Sequence, residues 1–103
     1  MIEIQTVGIV GAGLMGTGIA EVCALAGLRT ILIRATGGDP AAAVERVKKS
    51  LDARVSKGKL DASAAAAALA QLSATTELSA AAQCDLVIES IVDDEDTDRL
   101  REF

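Results

Sequence analysis

The run GAGLMGTG, Gly11 to Gly18, limits how this chain can fold more than any other stretch of it. Its first three glycines, Gly11, Gly13 and Gly16, fall at the spacing G-x-G-x-x-G, which alone arises often by chance. The flanks give it meaning. TVGIV (Thr6–Val10) runs directly into it as a short, nearly continuous apolar segment, the pattern of a strand covered on both faces. IAEVCALAG follows, reads as a helix and stops at Gly27. Strand, glycine turn and helix in that order specify the opening of a parallel α/β sheet.

The rest of the chain repeats the alternation. RTILI is a second β-branched run, and GGDP after it offers Asp39 as a helix N-cap with Pro40 in the first turn. Val44, Val47, Leu51 and Val55 then recur at spacings of 3, 4 and 4, an apolar stripe on a helix that Gly58 should end. SAAAAALAQL predicts an alanine-rich helix from Ala62 to about Leu72. SATTEL holds a short third strand, and DLVIESIV, Asp85 to Val92, a fourth. Strands alternating with helices call for parallel pairing through right-handed crossovers. The expected fold is an open Rossmann-type α/β sheet with helices on both faces and strand order 3-2-1-4, one domain over residues 1–103.

Composition fits a small aliphatic core. Half of the 103 residues are hydrophobic, and the one aromatic is Phe103. The net charge of −5 gives no electrostatic footprint for nucleic acid. No segment reaches the roughly 18 apolar residues of a membrane span, and MIEIQTVGIV lacks the basic start of a secretory signal. Cys23 and Cys84 lie far apart in apolar surroundings, which suits buried thiols rather than a metal site, and a cytoplasmic protein is expected. The chain contains no histidine, so no imidazole acid or base can come from within it.

Each motif glycine has a physical task. Gly11 permits the tight turn, Gly13 lets a pyrophosphate approach the backbone, and Gly16 lets the helix lie close on the strand. Amides around Leu14 and Met15, at the positive end of the helix, then face the phosphates, with Ala12 completing the loop. A ligand-free βα turn is the alternative, and for Met15 itself packing is expected ahead of a cofactor-specific contact.

VGIVGAGLMGTGIAEVCALAG, SLDARVSKGKL and CDLVIESIV together resemble the N-terminal half of the 3-hydroxyacyl-CoA dehydrogenases, a group that includes the bacterial 3-hydroxybutyryl-CoA enzymes. The resemblance runs from Val7 to about Val92. It implies an NAD-binding domain of an enzyme of fatty acid metabolism. A helical C-terminal domain, absent from this chain, would dimerise and form part of the substrate cleft. The implied reaction is hydride transfer between the nicotinamide cofactor and a 3-hydroxyacyl thioester, with a histidine as acid/base oriented by a glutamate. Both would lie beyond Phe103, so the chain carries no catalytic residue and alone should be inactive. The resemblance places Ile91, Val92 and Asp93 beneath the cofactor, Asp93 standing where the family has glutamate. Asp98 and Arg99 stand where the family has a cofactor-contacting lysine. It also places Ser50 and Lys57 at the CoA nucleotide, with Lys59 adding charge for the phosphates. Two alternatives stay open: a dehydrogenase of secondary metabolism that takes a carrier-protein-bound hydroxyacyl group, and a non-catalytic nucleotide-binding fragment.

One residue departs from the pattern. An acid at the end of the second strand, about 20 residues beyond the loop, binds the ribose hydroxyls of NAD. Position 34, 18 residues beyond Gly16, holds Arg34, with Thr36 shortly after it, where the family has aspartate. A guanidinium accepts no hydrogen bond but grips phosphate in a bidentate fashion. The expected cofactor is therefore NAD(P)(H), leaning to NADP(H). Retention of NAD through other contacts and an impaired adenosine pocket are the competing readings.

Overall fold

The structure is a computed structural model that describes residues 3–34 and 39–90. Four strands, β1 (Thr6–Val10), β2 (Arg29–Ile33), β3 (Leu72–Thr75) and β4 (Leu86–Glu89), form one sheet in the order β3-β2-β1-β4. Every neighbouring pair is parallel. The strand order is the one expected from the sequence.

Between β1 and β2 runs α1 (Leu14–Leu25), and between β2 and β3 run α2 (Pro40–Ser56) and α3 (Ala62–Gln71). The start of α2 is fixed as the sequence predicts: Asp39 accepts from the Ala41 amide at 3.0 Å, and Pro40 occupies the first turn. Gly27 and Gly58 follow α1 and α2 with φ of 87° and 70°. Between α3 and β3 there is no loop. Leu72, expected as the end of a helix, is both the C-cap of α3 and the first residue of β3, because its backbone pairs with Thr30. Likewise β4 is shorter than the expected 85–92: Asp85 turns its side chain back onto the start of β1, and residues 91–92 lie outside the described part.

Register explains how the two faces differ. Val7 lies level with Thr30, and Ile9 with Leu32 and Ile88, so one row of side chains faces the helices. Val7, Ile9 and Leu32 are essentially inaccessible there, packed with Val47 and Leu51 of α2. Ala20 and Ala24 of α1 and Ala68 of α3 belong to the same core, and their short side chains let three helices lie on a four-stranded sheet. The opposite face carries Val10, Ile31 and Ile33 under the 3-10 helix Leu78–Gln83, packed by Ala80, Ala81 and Cys84. Helical cover thus exists on both faces, three α-helices against one short 3-10 helix of six residues. Cys84 also accounts for Gly8 inside β1: a Cβ there would stand 2.7 Å from Cys84 Sγ. Burial pushes the thiols of Cys23 and Cys84 up, with Asp85 adding to the effect at Cys84, and both are free. Among the described residues no helix is long and apolar enough to cross a membrane.

Candidate functional site

Backbone geometry at the carboxyl ends of the strands builds the site. Gly11 leaves β1 with φ of 112°, a conformation that a side chain would strain. Its amide donates to Ile33 O at 3.0 Å, which ties the turn to the end of β2. The Ser90 amide donates to Val10 O at 2.8 Å, and Ser90 Oγ lies 3.4 Å from Gly11 O, so the end of β4 meets the same turn. Because β1 sits between β2 and β4, the chain reverses its winding direction here, and a crevice opens at such a switch point.

Gly16 makes the approach of helix and strand possible. A Cβ at this position would overlap Gly11 O and come within 2.7 Å of Ser90 Oγ. Gly13 differs in kind: a Cβ there would meet nothing within 4 Å, so the backbone at the N-cap of α1 borders open space. No side chain caps α1. Its first-turn amides, with the positive end of the helix dipole, are left for an anion. The Thr17 hydroxyl is spent inside the helix, on Gly13 O at 3.0 Å and Leu14 O at 3.1 Å. Ala12 is buried, whereas Leu14 and Met15 are 82% and 55% exposed, so neither packs in the core. Open backbone at Gly13, uncapped amides and the Gly16 contact are what a pyrophosphate needs, and these residues fit a dinucleotide.

Arg34 directly follows β2, half-buried, its amide donating to Thr75 O at 2.8 Å. This puts position 34 at the carboxyl end of the strand beside β1, where an adenosine ribose would lie in such a fold. Thr36, Ile91, Val92 and Asp93 lie outside the described residues.

Ser50 and Lys57 both belong to α2, mid-helix and C-cap respectively. Ser50 borders a groove between α1 and α2 with Thr17, Glu21 and Arg46, and its Oγ donates to Glu21 Oε1 at 2.9 Å and Oε2 at 3.0 Å. Lys57 does not line this groove. Sequence reading passed over Glu21 and Arg46. Arg46 had a usable signal, standing one helical turn before Ser50 on the same face; Glu21 had none, because its partner is 29 residues away. Among the described residues no three acids or cysteines gather as a metal site requires.

Comparison with known proteins agrees with this geometry. Residues 6–99 match the family described as 3-hydroxyacyl-CoA dehydrogenase, NAD binding domain. The chain is 44% identical over 92 residues to a 3-hydroxybutyryl-CoA dehydrogenase of Mycobacterium tuberculosis, covering 89% of this chain and 32% of that protein. It is 39% identical over 90 residues to a 3-hydroxyadipyl-CoA dehydrogenase of Escherichia coli, covering 87% of this chain and 19% of that protein. Among solved structures, FadB2 of M. tuberculosis superposes with a TM-score of 0.83 at 42% identity, over 93% of this chain and 34% of the other. The (S)-3-hydroxybutyryl-CoA dehydrogenase PaaH1 of Ralstonia eutropha gives 0.81 at 38% identity, over 93% and 34%. The chain therefore spans about a third or less of the length of these relatives. It belongs to the 3-hydroxyacyl-CoA dehydrogenase family, as that family's NAD-binding domain.

Proposed function

We propose that this domain holds a nicotinamide dinucleotide, NADP(H) in preference to NAD(H), for a dehydrogenase that interconverts 3-hydroxyacyl and 3-ketoacyl thioesters. The observation that carries the dinucleotide reading is the contact of Gly16 with Gly11 O beside the open backbone at Gly13. Together they present the uncapped start of α1 to a pyrophosphate. Bound there, the nicotinamide supplies the hydride donor or acceptor. The chain's own part is to hold and orient: the loop Gly11–Gly16 grips phosphate, and Ile91, Val92 and Asp93 are assigned to the cofactor by the family resemblance alone.

Preference for a 2′-phosphate rests on Arg34 at the end of β2. It brings a permanent positive charge with a planar set of donors where a carboxylate would repel phosphate. Ser50 and Lys57 extend the reading to the CoA nucleotide of the thioester. With no histidine in its 103 residues, the chain offers no imidazole for the proton transfer, which in our reading comes from a helical domain that also pairs subunits. A cytoplasmic setting belongs to the same reading and is supported by two free thiols.

The test is titration of the purified chain with NADH and NADPH, followed by nicotinamide fluorescence; the chain has no Trp or Tyr to interfere. NADPH is expected to bind tighter by roughly tenfold through the charge-assisted contact. Tighter NADH binding refutes the preference, and binding of neither refutes the dinucleotide reading.

A further inference from the structure

Ser90 directly follows β4 and is buried, as are two other polar side chains among the described residues, Thr17 and Thr30. The two threonines spend their hydroxyls on carbonyls of their own segments: Gly13 O and Leu14 O for Thr17, Leu28 O for Thr30. Ser90 reaches across the fold instead. Its hydroxyl donates to Gly11 O at 3.4 Å, 79 residues away in the chain. Its amide donates to Val10 O at 2.8 Å, so backbone and side chain of one residue hold consecutive carbonyls where β1 ends.

The Gly11 carbonyl matters because of the amide joined to it. Gly11 has φ of 112°, and without a Cβ it puts little steric resistance in the way of peptide rotation. Among the described residues Gly11 O accepts no backbone hydrogen bond, so the Ser90 hydroxyl is its one donor there. A Cβ on Gly16 would meet both Gly11 O and Ser90 Oγ, so this carbonyl faces inward, between the end of β4 and α1. A trans peptide unit is planar, and its C=O and N–H point opposite ways. The Ala12 N–H therefore points away from Ser90 and Gly16. Ala12 is buried, and its amide has no protein partner among the described residues. Buried amides are nearly always paired, so this one, beside the uncapped start of α1, calls for an acceptor from outside the chain.

We infer that Ser90 is a positioning residue whose hydroxyl holds the Gly11 carbonyl inward and thereby aims the Ala12 N–H at the pyrophosphate of the dinucleotide. This rests on the dinucleotide reading above, and it adds the side chain that sets the direction of the loop's donor. The bond is longer than the ~2.7–2.8 Å usual for a hydroxyl and an oxygen, so Ser90 steers the peptide and does not clamp it.

Titration of the full chain with NADH and NADPH, before and after Ser90→Ala, tests this. Both dinucleotides should weaken by roughly fivefold, the net contribution of one hydrogen bond, with the ratio between them unchanged. Phosphorus NMR of the saturated proteins gives a signature that a merely structural role would not move. The pyrophosphate resonances should shift in the variant, while that of the NADPH 2′-phosphate stays in place. Should Ser90→Ala fail to fold, Ser90→Cys keeps a side chain of similar shape with only a weak donor and carries the same readouts. Unchanged affinity in a folded variant, or resonance shifts that reach the 2′-phosphate equally, overturns the role of Ser90. Binding of neither dinucleotide by the unsubstituted chain overturns instead the dinucleotide reading beneath it.

Discussion

Asp85 and Thr6 bond each other twice, Asp85 N donating to Thr6 O and Thr6 N donating to Asp85 Oδ2, both at 2.9 Å. The same Oδ2 accepts from the Gln5 amide at 2.9 Å. An edge strand of four residues has few ladder bonds of its own, and this bracket fixes where β4 begins against β1. The register it sets carries Ser90 to the glycine turn.

The bracket makes acid stability depend on one carboxylate. The amides of Gln5 and then Thr6 hold Asp85 below the ordinary carboxylate range, against a smaller opposing effect of desolvation. A carboxyl depressed in the folded state stabilises it above the unfolded value, about pH 4. That contribution is lost as pH falls through the depressed native value. Asp85→Asn keeps an acceptor but no charge, so it should lower stability at neutral pH and flatten the decline on the acid side. Thermal midpoints of both proteins between about pH 2 and about pH 6 check this; parallel curves would sink it.

Gly8 and Cys84 share one space on the second face of the sheet. Gly8→Ala places a methyl 2.7 Å from Cys84 Sγ, while the next contacts, Cys84 Cβ at 3.4 Å and Ile33 Cδ1 at 3.7 Å, are ordinary van der Waals distances. The overlap should cost about 1–3 kcal/mol. Cys84→Ala removes the obstructing atom, so the double variant should be more stable than the two single effects added together. Denaturant unfolding of all four proteins gives the coupling, and strict additivity would show that the contact carries no energy.

How far the sequence disclosed this arrangement depended on the range of the interaction. The glycine loop, the Asp39 cap and the apolar stripe of α2 are local patterns, in which one residue's partner lies within a turn or two, and all were legible. The strand order followed because parallel pairing and right-handed crossovers leave few topologies. The missing loop before β3 depends on Leu72 meeting Thr30 across the sheet, and propensity alone extended the helix through it. In the site, Gly11–Gly16 could be named, but the bonds of Ser50 to Glu21 and Ser90 to Gly11 span 29 and 79 residues and leave no periodic trace. Met15 shows the remaining limit: its apolar character suggested packing, yet it is 55% exposed beside the loop.

Leu51 is fully buried beneath α2 and belongs to the one core that joins sheet and helices. Leu51→Ala should destabilise the fold by about 2–5 kcal/mol through lost burial and the cavity left behind. A chain this small has little reserve, so its unfolding midpoint in urea should fall sharply. A change below about 1 kcal/mol would mean that α2 is not anchored by this side chain.

Gly16→Ala separates the loop's geometry from its chemistry. The added methyl meets a backbone oxygen, Gly11 O, which no side-chain rotation can move aside. Either α1 or the turn must shift, and the first-turn amides shift with it. Dinucleotide affinity should fall by more than about tenfold, since phosphate binding at a helix start depends on aligned N–H groups. Gly13→Ala should allow the fold, as its Cβ meets only open space, and yet crowd a pyrophosphate. Wild-type affinity in both variants, measured by NADPH titration with melting curves as a control for folding, would show that the dinucleotide sits elsewhere.

Arg34→Asp tests whether the residue after β2 selects between the two nicotinamide dinucleotides. The substitution exchanges a donor fork for an acceptor of opposite charge at a position anchored by the amide bond to Thr75 O, so the backbone should hold while the chemistry inverts. A carboxylate there can accept from ribose hydroxyls and repels a 2′-phosphate. NADH affinity should rise and NADPH affinity fall, each by roughly tenfold, because a charge-assisted contact is lost in one case and gained in the other. The NADPH side should also weaken with added salt in the unsubstituted chain and not in the variant. If both affinities fall in parallel, Arg34 supports the pocket's structure and does not choose its ligand.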